Sequence, residues 1–526
     1  MPSNVEVQTA HGPVTGRTTD GVTSFLGVPY AAPPVGANRF NEPVEPDAWT
    51  EPLPALAFGP TAPRDSGGRF DRLLGGTPVP GDGWLTVNVW TPDTQPSERL
   101  PVMVWIHGGA FLRGSSAGTA YDGSTFARDG VVCVSVNYRL GVEGFAYIPD
   151  APVPANRGLL DQALALRWVR YNIQHFGGDP STVTVFGESA GAMSILAMLS
   201  AELGLFERAI VQSGTAHLSQ TSTDALLLTK ELAEKLSAEQ GSPVEPSFAA
   251  LSKFSPESLI AAQQSVHNDV VATADAVRFG QTTIDSCGMS FQPVVDASPL
   301  RGRPIDLIAN RGAGSGVPLL IGTTVEENRY FVLQNEAPEF PPRPEDWQQR
   351  LTVYGVPKAK ALYDWYVEAR KEAYPRELPA EVFAAVMTDR LFRIPSYRVA
   401  EARANVPSPS TTYVYELGWR TGKADYLPGV ALGACHVSEI PFVWDTVEAE
   451  GVDKLIADPP AGLARRIHAR WVEFAKKGHL EDWEQYHLRE RPVMSFCTDN
   501  TDTTGMVNDP RSFERELWHG ALDPEP

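Results

Sequence analysis

Between residues 100 and 186 the chain sets short apolar runs against one segment of helical spacing. Val102-Met103-Val104-Trp105-Ile106 and Val131-Val132-Cys133-Val134-Ser135-Val136 have the pattern of strands buried on both faces, as does the β-branched stretch Ser181-Thr182-Val183-Thr184-Val185-Phe186. From residue 158 to 173, Leu160, Ala163, Leu164, Leu166, Trp168 and Val169 recur at helical spacing and predict a helix with a broad apolar face. Strand, loop, strand, helix, strand is the order of an α/β fold. Residues 317–321 and 411–415 read as later strands, and 461–477 as a C-terminal helix built around Ile467, Trp471 and Phe474. Residues 222–265 and 345–405 read as mainly helical, packed over the carboxyl edge of the sheet. Residues 67–83, rich in Gly and Pro around Arg69, Phe70, Leu73 and Leu74, predict a long loop.

The strand ending at Phe186 runs directly into Gly187-Glu188-Ser189-Ala190-Gly191, and an apolar helix pattern follows over 192–199. Strand, G-x-S-x-G, helix is the nucleophile elbow of an α/β-hydrolase. Small residues beside Ser189 let the chain turn sharply, so that Oγ points into a cleft above the sheet. The N–H of Ala190, opening the helix, is then placed to meet an oxyanion. The pentapeptide alone is weak, since a chain of this length meets it by chance about once in five proteins. Gly114-Ser115-Ser116-Ala117-Gly118 repeats it with no strand entering and no helix leaving, so Ser116 reads as a loop serine.

Length alone suggests several domains. Large α/β enzymes do build single sheets of eight or more strands, however. The expectation is one α/β-hydrolase domain over residues 1–526, its large, mostly parallel central sheet flanked by helices, with helical insertions around 222–290 and 335–405. A formal net charge of −20 argues against nucleic-acid or anionic-membrane partners. Residues 1–7 show neither a basic n-region nor an apolar h-region, and no run approaches a membrane span, so a cytoplasmic protein is expected. Cys133, Cys287, Cys435 and Cys497 lack C-x-x-C spacing and are expected to be reduced, mostly buried thiols.

A serine nucleophile needs a base, and the base needs a third group to orient it; in this fold their chain order is serine, acid, histidine. His11, His107 and His175 precede the elbow, and His217 follows too closely to leave room for an acid strand. His267 lies in a polar stretch, while His468, His479, His487 and His519 sit among charged neighbours and read as solvated. His436 remains, in a Gly-bearing loop before Ile440-Pro441-Phe442. The acid is expected on the loop after residue 321, where Glu326 and Glu327 both stand, and spacing does not choose between them. His107-Gly108-Gly109-Ala110-Phe111 follows the strand at 102–106, and its N–H groups at Gly109 and Ala110, with that of Ala190, are the candidate oxyanion hole.

With these residues in place the chain resembles the type-B carboxylesterase family along nearly its whole length. The resemblance rests on Phe25-Leu26-Gly27-Val28-Pro29-Tyr30-Ala31, Leu85-Thr86-Val87-Asn88-Val89-Trp90, the loop 107–111 and Asn137-Tyr138-Arg139-Leu140-Gly141. Phe176-Gly177-Gly178-Asp179-Pro180, the elbow, Gln212-Ser213-Gly214 and His436 with Glu439-Ile440-Pro441-Phe442 extend it. The resemblance implies a Ser189–His436–Glu327 triad, because the family's acid ends a G-x-x-x-[DE]-E motif that maps onto Glu327. Asn328 stands where Gly is often found, and Asn tolerates φ > 0. Glu188, Glu439 and Ser213 match supporting positions. Asp82-Gly83-Trp84 replaces the family's Glu-Asp-Cys, so its first disulfide is not expected. Ala110, in the glycine run, narrows the space around an acyl carbon.

The expected activity is hydrolysis of small-molecule carboxylic esters, with short or medium acyl or aryl groups, by a monomer or small homo-oligomer without metal or cofactor. Carbamate or aryl-amide hydrolysis on the same triad is the alternative, and a non-catalytic adhesion or binding protein of this fold is a remote one. Phe70, Leu73, Leu74, Tyr330 and Phe331 read equally as gorge lining or as core.

Overall fold

The computed structural model describes residues 3–66, 69–74, 76–287, 289–332, 343–369, 379–406, 410–422, 431–497, 503–522 and 524. Its strands are β1 (Ser3–Gln8), β2 (Pro13–Thr19), β3 (Val22–Pro29), β4 (Leu53–Pro54), β5 (Thr86–Thr91), β6 (Leu100–Ile106) and β7 (Val132–Val136). They continue with β8 (Gly178–Glu188), β9 (Arg208–Gln212), β10 (Leu319–Thr324), β11 (Thr412–Leu417), β12 (Pro492–Phe496) and β13 (Thr504–Asn508). All thirteen join one sheet in the order β1-β2-β3-β5-β7-β6-β8-β9-β10-β11-β12-β13, with β4 beside β2. From β7 to β12 the pairing is parallel throughout. Antiparallel pairs occupy the two margins.

Burial explains the division. Every residue of β7, β10, β11 and β12 is buried, as parallel strands covered by helices on both faces require. The margin strands β1 and β13 are largely exposed. Side chains of the central strands alternate between two core layers. Val104 and Val185 enter one; Trp105 and Phe186 enter the other, their rings 4.9 Å apart and capped by Trp444 at 5.3 and 5.5 Å. Burying each such ring contributes about 1.5–3 kcal/mol.

The helix at Arg157–Asn172, the elbow helix Ala190–Ser200 and the C-terminal helix Leu463–Lys477 pack around the sheet. Helices at Ser222–Gln240, Pro256–Thr273, Pro344–Val353, Ala359–Ala369, Pro379–Thr388 and Ile394–Ala404 fill the segments read as helical. Residues 335–342 and 370–378 of the second expected insertion lie outside the described residues.

Two expectations need correction. Residues 67–83 are not all loop: a short helix, Arg69–Leu74, buries Leu73 and Leu74 in the core layer of Trp105, because two adjacent leucines repay one helical turn with apolar contact. These two side chains are core, while that of Phe70 lies outside the described residues. His468 is not solvated. It follows Ile467 on the inner face of its helix, packs 4.3 Å from the Phe126 ring and satisfies Nδ1 with the Val443 carbonyl at 2.7 Å. Cys133, Cys435 and Cys497 are buried, Cys287 is half-buried, and no disulfide joins them. Among the described residues no helix is long and apolar enough to cross a membrane.

Candidate active site

Beside β6, the chain continues to β7 on one flank and to β8 on the other. Loops leaving the carboxyl ends of β6 and β8 therefore diverge and open a crevice, the usual ligand position in α/β sheets. The loop after β6 carries Gly109 and Ala110, the turn after β8 carries Ser189, and the loop after β10 carries Glu327. His436 lies on the connection from β11 to β12.

Ser189 adopts φ 55° and ψ −123°, a strained conformation for a residue with a side chain. Its N–H donates to the Gln212 carbonyl at 2.9 Å, and its own carbonyl accepts from Met193 N–H at 2.9 Å. The flanking glycines are steric necessities. A Cβ on Gly187 would lie 2.7 Å from the Ile106 carbonyl oxygen, and one on Gly191 would overlap that oxygen outright. Helix Ala190–Ser200 can thus sit directly against the end of β6, leaving Ser189 8% exposed. Ser116, the serine of the second pentapeptide, is buried and accepts a hydrogen bond from Asn88 Nδ2 at 2.9 Å.

The loop after β6 holds three consecutive left-handed residues, Gly109 (φ 119°), Ala110 (φ 55°) and Phe111 (φ 61°). Leu112 and Arg113 N–H groups close it onto the Gly109 carbonyl, both at 3.0 Å. Gly108 presses on the elbow: a Cβ there would lie 3.0 Å from that of Ser189. Among the described residues nothing accepts a hydrogen bond from the N–H of Gly109, Ala110 or Ala190. His107 stacks on Tyr138, and burial lowers its pKa to about 4, so it is neutral scaffolding.

Glu327 and His436 meet. Nδ1 lies 2.6 Å from Oε2, and the His436 backbone N–H donates to the Glu327 carbonyl at 3.1 Å. The other carboxylate oxygen accepts from Thr324 N–H at 2.7 Å and from the Ser213 hydroxyl at 2.6 Å. Glu326 turns away, accepting from Ala434 N–H at 3.0 Å and Arg420 Nε at 3.1 Å. Asn328 makes no use of its tolerance for positive φ: the chain passes straight into the right-handed turn Arg329–Val332. The Nε2 edge of His436 faces Glu188 Oε1 at 3.1 Å, and no hydrogen bond joins it to Ser189 Oγ.

Three buried glutamates thus surround one buried imidazole. Burial opposes a charged ring, but Glu188, Glu327 and Glu439 together hold the His436 pKa up at about 9. Burial raises Glu188 to about 7, against the pull of His436. Burial and the charge of Glu327 raise Glu439 to about 8, although Tyr415 donates to it at 2.8 Å. The sequence presents Tyr415 only as a strand residue; nothing in a local pattern reports a partner 24 residues further on.

Phe331 and Phe392 lie 5.0 and 4.9 Å from the imidazole, with their own rings parallel within 4°. Phe331 is 42% exposed, whereas Tyr330 is buried in the core layer of Trp105. Among the described residues, Glu484, His487 and Glu490 are the one group whose donor atoms could gather on a metal ion, and none belongs to this cluster.

A strained serine turn at the switch point of a large mixed sheet defines the α/β-hydrolase fold. Residues 3–514 match the carboxylesterase family, and the chain belongs to that family of carboxylic ester hydrolases. It is 36% identical to the para-nitrobenzyl esterase of Bacillus subtilis (strain 168) over 97% of each chain. It is 33% identical to the phenmedipham hydrolase of Pseudarthrobacter oxydans, over 92% of this chain and 94% of that one. A solved PNB esterase shares 34% identity with a TM-score of 0.79, covering 98% of this chain and 99% of its own. A Geobacillus stearothermophilus carboxylesterase shares 31% over the same proportions, also with a TM-score of 0.79.

Proposed function

We propose that the protein hydrolyses small-molecule carboxylic esters through an acyl-enzyme on Ser189. His436 takes the hydroxyl proton as Oγ attacks the carbonyl carbon, then returns it to the leaving alcohol. Glu327 holds the ring in one tautomer and balances the imidazolium. The N–H groups of Gly109, Ala110 and Ala190 receive the oxyanion, and water then repeats the sequence to release the acid. The observation that carries this reading is the 2.6 Å Glu327–His436 pair beside a strained, glycine-flanked serine. The turn of Nε2 towards Glu188 is compatible with it, since catalytic hydrogen bonds often tighten only when substrate binds.

The exposed Phe331 ring beside the imidazole and the methyl of half-exposed Ala110 favour flat aryl groups and modest acyl chains. The test is kcat/KM on para-nitrophenyl acetate, butyrate, octanoate and palmitate, with phenmedipham added because a relative is named for it. Ser189→Ala should abolish turnover and Ser116→Ala should spare it. A sulfonyl fluoride should label the peptide carrying Ser189; labelling at Ser116, or best activity on palmitate, would refute the assignment.

A further inference from the structure

The helix that ends at Thr388 and resumes at Ile394 is interrupted by a π-turn, Asp389–Arg393, closed by the Ile394 N–H on the Asp389 carbonyl. Its cause is chemical. Pro395 has no N–H for the carbonyl four residues back, and its ring would collide with that carbonyl in a regular helix. Five residues make about 1.4 turns of an α-helix, placing positions 388 and 393 about 140° apart. In i→i+5 geometry five residues come close to one full turn, so both positions can face the same neighbour.

That neighbour is the loop bearing Glu327. Asn328 N–H donates to Thr388 Oγ1 at 3.0 Å, and the Thr388 hydroxyl proton is committed to the Ala384 carbonyl at 2.8 Å, leaving a lone pair aimed at Asn328. Arg393 Nη2 donates to the Val325 carbonyl at 2.5 Å and is itself held by Asp389, which also accepts from Tyr366. Between these contacts, Phe392 lies against the His436 ring. The π-turn therefore grips both ends of a four-residue loop and one side of the imidazole that the loop serves.

We infer that this turn is a clamp on the acid of the site, with Thr388 and Arg393 as positioning residues that keep the Glu327 carboxylate on Nδ1. The inference rests on the triad reading above. Thr388→Val removes the acceptor and keeps the shape, while Thr388→Ser keeps the acceptor. Rates are taken per serine titrated with a sulfonyl fluoride, so that misfolded protein does not count.

Thr388→Val should lower kcat on the order of tenfold with KM within about twofold, and Thr388→Ser should restore it. The acid limb of kcat should also move to lower pH in Thr388→Val, because the ring loses part of its hold on Glu327 while Glu188 and Glu439 still face it. In a Glu327→Gln background the valine change should cost nothing more. A crippled Glu327→Gln beside an unaffected Thr388→Val, or a serine variant as slow as the valine one, would overturn the clamp alone. A fully active Glu327→Gln would overturn the acid assignment and the clamp with it.

Discussion

Adjacent glutamates with opposite duties make the sharpest test at the scale of single residues. In the proposed mechanism Glu327 orients the imidazole it bonds, whereas Glu326 ties the His436 loop to Arg420. Glu327→Gln should slow turnover by about 10⁴, the cost of losing ring orientation in such sites. Glu326→Gln should cost far less, and equal losses in kcat would reverse the roles. The pH profile follows from the same cluster. His436 acts as a base only when neutral, and its neighbours hold its pKa at about 9, so the acid limb of kcat/KM should lie above the ordinary 6.5. Glu188→Gln removes the largest raising influence on that ring, and the limb should move down. A limb that stays in place would mean Nε2 is not facing the Glu188 carboxylate during turnover.

At the scale of elements, the elbow works because a helix and a strand end share one point. Gly191→Ala would drive a methyl into the Ile106 carbonyl and push the helix from β6. The expected loss is about 1–3 kcal/mol in thermal unfolding, occasionally more, together with most of the esterase activity; an unchanged melting temperature would show that the helix has room to move. The apolar runs at 102–106, 131–136 and 181–186 were legible because strands buried on both faces leave no other use for such residues. Ser189 and the glycine loop could be singled out because each directly follows such a run, whereas His436 was reached only by setting the other histidines aside. His468 was misread because charged neighbours in sequence occupy the outer face of a helix whose inner face they do not describe. Thr388 left no local trace, since its partner lies sixty residues away. Pro395 inside a helical stretch was the available sign that the winding changes there.

For the whole molecule, the cluster of carboxylates is a liability held in place by the rest of the fold. Glu188 and Glu439 titrate near 7 and 8 instead of 4.5, and His436 near 9 instead of 6.5. Groups raised in the folded state lend stability at low pH and lose it as pH rises through the raised value. All three shifts therefore predict a melting temperature that falls between about pH 5 and about pH 9. Glu439→Gln should melt higher than the parent at pH 8 and nearly equally at pH 4.5, the window set by its own shift. A glutamine variant that melts lower at pH 8 would mean the bond from Tyr415 outweighs the buried charge.

The strand ends that supply the site also decide when it can exist. Glu327 and His436 stand 109 residues apart, and Ser213 reaches Glu439 across 226. Closing loops of that length costs chain entropy before any contact rewards it, and parallel pairings are slow for the same reason. Recovery of ester hydrolysis after dilution from denaturant should therefore lag behind recovery of helical circular dichroism. Activity in this chain is a clock that starts only when stretches far apart in sequence have met at the centre of the sheet.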